Sequence, residues 1–296
     1  MEHQLLEVSI GADFDNDNQR KFRIAHLMRC RSIRHQHFCH SIPQLPMRYL
    51  IALLLSCSTL MAAPPIGYND PTIGGLVGWW TMNEGTGTNV YDYSGNGNFL
   101  AITNNTSFWT NGIALTALGI NGTVLTAAYK LTADYSFANS TFSICAWAKT
   151  SATAEEIIIS RGGWYGGWRL GFNAPGRNNL VYFSQLNSGN GYTAQVVSTN
   201  ALNDGKWHFL SIVTTTSTIA ASNCFANLWI DGVSNNTNFV GSVTYNPPSS
   251  GMGIGFNSGG NNYPFNGSID DVRIYNRALS SDEILKLYNG GYGSQK

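Results

Sequence analysis

Between Thr141 and Asp231, short runs rich in β-branched and aromatic residues recur at close intervals. Each is closed by glycine, asparagine or serine. The runs are Thr141 to Lys149, Glu155 to Ser160, Trp168 to Asn173, Leu180 to Gln185, Trp207 to Thr215 and Leu228 to Asp231. No helical period competes with them, so the pattern predicts an all-β sandwich. The intervening clusters, such as Ser188-Gly189-Asn190-Gly191 and the 257–262 segment, contain residues that tolerate positive φ and read as loops within one domain.

The C-terminal stretch adds one helix. Ser268 to Tyr275 alternates as a strand, with Asp270, Val272 and Ile274 expected on one face and Ile269, Asp271, Arg273 and Tyr275 on the other. Ser280 and Glu283 then stand at capping-box spacing. Ile284, Leu285 and Tyr288 supply an apolar stripe, and Gly290-Gly291 ends the helix.

The head of the chain has a different composition. Residues 1–48 hold seven of the 17 Lys and Arg, five of the six His and two of the five Cys. Residues 1–46 are expected to be a basic leader outside the fold. Met47 to Ala63 has the shape of a secretory signal: a basic start, an uncharged apolar run from Tyr49 and small residues at Ala62-Ala63. Its fifteen uncharged residues, Tyr49 to Ala63, are too few to cross a bilayer. The alternative is a lipid anchor at Cys57, in a Leu54-Leu55-Ser56-Cys57 box. A zinc site from Cys30, His35, His37, Cys39 and His40 is not expected, since the spacing matches no standard arrangement. Residues 64–75 read as an extended leader, 76–290 as the domain and 291–296 as a tail.

From Pro64 onward ten basic residues face twelve acidic ones. With no basic stripe to displace counterions from phosphates, nucleic acid is excluded as a partner. Catalysis is also disfavoured. The four Glu after Pro64 are Glu84, Glu155, Glu156 and Glu283, and the adjacent pair lies on an expected strand, where neighbours face opposite ways. Two carboxylates that cleave a glycosidic bond must flank one cleft. His208 is the one histidine after Pro64, and no nucleophile elbow or phosphate-cradling loop accompanies it. No catalytic residue is assigned.

Two patterns carry binding chemistry. Asp92, Ser94, Asn96 and Asn98 crowd hard oxygen donors into seven residues, with Gly95 and Gly97 allowing a tight path, as Ca²⁺ requires. Their other reading is a turn whose side chains cap their own backbone. For sugars, apolar faces stack on aromatic rings while hydroxyls meet amides and carboxylates. Trp164 and Tyr165, in Arg161-Gly162-Gly163-Trp164-Tyr165-Gly166-Gly167-Trp168, are the best candidates. Tyr192 and Tyr263 in other Gly/Asn-rich loops could join them, and Trp168 is assigned to the core.

Several strings resemble one family. They are Gly78-Trp79-Trp80-Thr81-Met82-Asn83-Glu84-Gly85, Asp92-Tyr93-Ser94-Gly95-Asn96-Gly97-Asn98, Phe142-Ser143-Ile144-Cys145-Ala146-Trp147, Trp207-His208, Leu228-Trp229-Ile230-Asp231-Gly232 and Asp270-Asp271-Val272-Arg273-Ile274-Tyr275-Asn276-Arg277-Ala278-Leu279-Ser280. In this order they resemble the laminin-G-like jelly-roll domains of the concanavalin A-like lectin/glucanase superfamily. The resemblance implies a two-sheet antiparallel jelly-roll sandwich with a short C-terminal helix, and Ser268 to Tyr275 pairing near Leu76 to Met82. It further implies a structural calcium near the Asp92 loop, with Asp270 as acidic partner. Pentraxins, a related branch, carry a disulfide whose first cysteine sits at the place of Cys145. Cys224 does not match the second, so a bridge and two thiols both stay open. The implied function is a secreted or surface-exposed module that binds carbohydrate. The alternatives are an adhesive module with a protein partner and, third, a carbohydrate-active hydrolase.

Overall fold

The computed structural model describes residues 9–14, 20–25, 74–102, 107–122, 128–129, 135, 137, 140–163, 166–186, 192–216, 224–241, 251–260 and 262–290. The chain divides into two compact units, Met1–Thr59 and Leu60–Lys296. The described part of the first is an antiparallel hairpin of β1 (Ser9–Phe14) and β2 (Arg20–Ala25), within the stretch expected to be leader. The expected signal Met47 to Ala63, with Cys57, lies outside the described residues.

The second unit is the expected sandwich. Its strands are β3 (Leu76–Trp80), β4 (Asn89–Val90), β5 (Leu100–Ala101), β6 (Ser107–Asn111), β7 (Thr116–Asn121), β8 (Ala128–Tyr129), β9 (Phe142–Thr150), β10 (Glu156–Gly163) and β11 (Gly166–Phe172). They continue with β12 (Val181–Leu186), β13 (Tyr192–Val197), β14 (Trp207–Thr216), β15 (Cys224–Ile230), β16 (Val233–Gly241), β17 (Met252–Ile254) and β18 (Asn266–Tyr275). One sheet runs β13-β12-β11-β10-β17; the other runs β16-β15-β14-β9-β18-β7-β6, with β3 also on β18; β4-β5-β8 form a small third sheet. All neighbours are antiparallel, and Val272 pairs with Trp80 as the closed architecture implied.

Strand alternation builds the core. On β9, Ile144, Ala146 and Ala148 point between the sheets, where Trp168, Leu170 and Phe172 of β11 and Phe183 of β12 meet them. Trp168 is therefore a core residue. Cys145 and Trp147 point the other way, onto Phe209, Tyr275 and the helix α1 (Ser281–Gly290), which covers the outer face of the larger sheet. Its capping box forms as expected: the Glu283 amide donates to Ser280 Oγ at 3.3 Å and the Ser280 amide donates to Glu283 Oε2 at 2.8 Å. The buried stripe is Ile284 with Leu287, whereas Leu285 is exposed, one correction to the expected helix face.

A second correction concerns β18. Asp270 pairs with Trp147 but Arg273 pairs with Cys145, so Asp271 and Val272 together oppose one residue of β9. This bulge, with Asp271 at φ 44, flips the alternation. Ile269 therefore joins Val272 and Ile274 in the core, and Asp270 shares the outer face with Trp147.

The disulfide alternative is resolved at Cys145, which is a free, buried thiol with Sγ 3.2 Å from Ser211 Oγ. Cys145 faces Ser211 and Cys224 faces Thr216, five residues further along β14. At about 3.4 Å per residue that offset alone exceeds the reach of a disulfide.

Candidate functional site

The Asp92 loop is held by its carboxylate. Oδ1 accepts the amides of Trp79 and Ser94 at 3.0 and 2.9 Å; Oδ2 accepts the amide and side-chain nitrogen of Asn98 at 2.9 and 3.2 Å. These four bonds use the lone pairs a cation would need. Asn96 Nδ2 donates to Val77 O and Ser94 Oγ, and Asn98, fully buried, donates to Tyr135 Oη at 2.9 Å. As folded, the loop fits its own backbone rather than calcium.

Asp270 is not part of this loop. β3 lies between them: Trp80 pairs with Val272 on one edge and bridges to Asp92 on the other. The Asp270 carboxyl accepts the Ile113 amide at Oδ2 and the Asp271 amide at Oδ1, each at 2.8 Å. It presses so closely on Gly112 that a Cβ there would fall 2.5 Å from Oδ2. Burial pushes its pKa up to about 8, and the neighbouring charges of Asp271 and Glu84 push the same way. Glu84 is itself raised by burial; its Oε1 accepts the Tyr91 amide at 2.8 Å, and its Oε2 is buried with no partner. Among the described residues no three His, Cys, Asp or Glu side chains form a metal cluster.

Asp271 has a different task. It accepts Arg273 Nε and Nη2, each at 3.0 Å, and the Trp79 indole N–H at 2.6 Å. The Arg273 guanidinium stands 4.5 Å from the Trp79 ring centroid. Burial opposes its charge, yet the Asp271 carboxylate keeps its pKa above the ordinary value. The bulge, the ion pair and the indole thus form one buried polar unit.

The expected sugar-binding aromatics fall in different places. Trp164 and Tyr165 lie outside the described residues, between Gly163 of β10 and Gly166 of β11, which pair with each other. Gly167 pairs with Leu186, and Leu186 pairs with Tyr192, so Tyr192 begins its strand at the same end of the five-stranded sheet. Tyr263 does not join them. Its carbonyl accepts the Ile157 amide near the opposite end, and its half-buried ring packs on Ile157, Ala174 and Tyr182. The Arg169 guanidinium lies 5.8 Å from that ring and 3.5 Å from Glu155 Oε1, which also accepts the Tyr182 hydroxyl.

The two adjacent glutamates diverge. Glu155 serves Arg169 and Tyr182, while Glu156 turns to the β18 start, where Oε2 accepts the Asn266 amide at 2.9 Å and Oε1 is buried unpartnered. Burial pushes Glu156 up to about 7. His208 is set between Asp231 and Asp204 at 2.9 and 3.2 Å, and the Asp231 bond, then Asp204, raises its pKa. Each of these groups is engaged in holding a strand or turn.

Sequence reasoning missed two exposed aromatics, Tyr91 and Phe99, which flank β4 and β5 of the small sheet beside the Asp92 loop. The signal was present: each lies next to an apolar residue, Val90 or Leu100, in a segment rich in Gly, Asn and Ser.

A family model described as the concanavalin A-like lectin/glucanases superfamily matches residues 121–285, more than half of the chain. No curated protein matches it. Among solved structures, the binding domain of Paraclostridial Mosquitocidal Protein 1 is similar with a TM-score of 0.54 at 14% identity, over 74% of this chain and 53% of that one. The botulinum neurotoxin serotype D binding domain gives 0.51 at 15% identity, over 73% and 52%. The binding domain of botulinum neurotoxin DC in complex with SialylT gives 0.51 at 15% identity, over 75% and 52%. The chain spans about half the length of these structures, and identities this low establish a shared fold alone.

Proposed function

Because the chain belongs to the concanavalin A-like lectin/glucanase superfamily, we propose that it is a secreted or surface-exposed module that binds an uncharged glycan and performs no chemistry on it. The observation that carries this reading is the end of the five-stranded sheet. There the Gly163–Gly166 pair joins two strands through Trp164 and Tyr165, and Tyr192 starts a strand at the same end. Aromatic side chains flanked in sequence by glycines suit stacking against sugar faces. The divergence of Glu155 and Glu156 supports binding over hydrolysis, because a glycosidase needs two carboxyls across one cleft. Export through the segment Met47 to Ala63, or anchoring at Cys57, belongs to the same reading.

Calcium enters only as a structural ion. Glu84, with its unpartnered Oε2, and Asp270 are the side chains that would hold it, and it would supply the positive charge that lets both carboxyls ionise.

The test incubates the full chain with immobilised polysaccharides, measuring retention and the release of reducing ends. Retention without release, weakened in Trp164→Ala and Tyr192→Ala, is expected. Release of reducing ends that a single carboxylate substitution abolishes would overturn the reading in favour of a hydrolase.

A further inference from the structure

Val90 and Leu100 pair across β4 and β5 and are both buried. Tyr91 follows Val90 and Phe99 precedes Leu100, so the two aromatics stand at the same end of this pair. They are 40% and 45% exposed, while Val90 and Leu100 beside them are buried. Asn89, exposed, and Ala101, half-buried and directly opposite it, are the other residues of this strand pair. This end of the small sheet therefore offers two exposed rings and one exposed amide. We propose that Tyr91 and Phe99 form a glycan-stacking platform, with Asn89 as its hydrogen-bonding edge; this rests on the reading of the chain as a glycan-binding module.

Two features of the surroundings favour it. The frame is fixed before any ligand arrives: the Tyr91 amide is held by Glu84 Oε1, Asp92 takes its four N–H donors, and the carbonyl of Asn98 accepts the Trp80 indole at 2.8 Å. A backbone held in this way loses little conformational freedom on binding. The segment that carries the rings is also poor in charge, and the neighbouring Glu84 carboxyl is turned onto the Tyr91 amide. Thr88 to Leu100 contains a single charged side chain, Asp92, whose carboxylate is turned onto the backbone. That suits a neutral ligand with apolar faces and hydroxyl edges.

Size decides between a sugar and a protein. Aromatic side chains carry about 150–250 Å² each, so at these exposures the two rings offer roughly 150–200 Å². A stable protein interface needs about 800 Å² per partner. The platform falls far short of that, while one or two pyranose rings would cover it.

The experiment titrates the full chain with soluble cello-, xylo-, manno- and galacto-oligosaccharides, with a thermal melt of each variant. The expected result is that Tyr91→Ala and Phe99→Ala each weaken the bound sugar about tenfold or more at unchanged melting temperature, while Phe99→Tyr keeps affinity. Should Tyr91→Ala fail to fold, Tyr91→Leu, which retains bulk but no ring face, takes its place with the same expected loss. If wild type binds and these variants bind equally well, the platform is overturned while the glycan-binding reading stands. If wild type binds none of the four series, both fall.

Discussion

Replacing Glu156 by Gln should make the protein more stable at neutral and alkaline pH, and the gain should itself depend on pH. The Glu156 side chain is 1% exposed at the seam where β10 meets the start of β18. One oxygen accepts the Asn266 amide and the other has no partner. Burial raises its pKa from 4.5 to about 7. A carboxyl whose folded value is raised binds its proton more tightly when folded. Its contribution is complete below about pH 4.5 and is lost as pH rises through about 7. At 1.36 kcal/mol per unit, wild type should lose about 3 kcal/mol from this group between pH 4.5 and pH 8. Asp270, Glu84 and His208 are shifted in the same direction, so the total slope of wild type belongs to all four. The difference between wild type and Glu156→Gln isolates one. Gln keeps an acceptor for Asn266 and cannot ionise. Urea unfolding of both proteins at pH 4.5 and pH 8 should show the variant gaining about 3 kcal/mol on wild type across that window, roughly 6–12 °C in melting temperature. A stability difference that stays constant with pH would refute the assignment of that proton to Glu156.

Asp271→Ala should destabilise by about 3–5 kcal/mol in chemical denaturation, because it leaves Arg273 buried without its ion pair; a loss below 1 kcal/mol would contradict the role given to that unit. If calcium is bound, saturating it a hundredfold above its dissociation constant adds about 2.7 kcal/mol, or roughly 5–11 °C over a melt in chelator. Asp270→Asn should abolish that shift and Asp92→Asn should leave it; the opposite pattern would return the ion to the Asp92 loop. Cys145, its thiol pushed up to about 12 by burial, should resist a thiol reagent in the native protein and react after denaturation without reductant. Reaction only after reduction would restore a disulfide.

Much of the fold was legible because its signals are local. Strand runs bounded by Gly and Asn, the Ser280–Glu283 cap and the order of the aromatic strings each depend on a few neighbouring residues, and each appears in the structure. Reading failed where a partner strand decides. Asp270-Asp271 looks like strict alternation until β9 opposes two residues with one, and only then does Ile269 turn inward. Leu285 and Leu287 are both apolar, and the packing of α1 on Trp147 and Phe209 selects Leu287. At the site, Asp92 and Asn98 carry the right donors for calcium, but their hydrogen bonds run to Trp79 and to each other, contacts that spacing does not encode. Tyr263 shares its loop composition with the other candidate aromatics, yet Arg169 and Tyr182 come from distant strands to pack on it.

Glycan binding itself is the central claim, and a glycan array probed with the full chain tests it most directly. The account predicts retention on at least one uncharged glycan, little changed between low and high salt because no charge pairing drives it. Absence of binding to every glycan, or binding confined to anionic glycans and lost in salt, would contradict it.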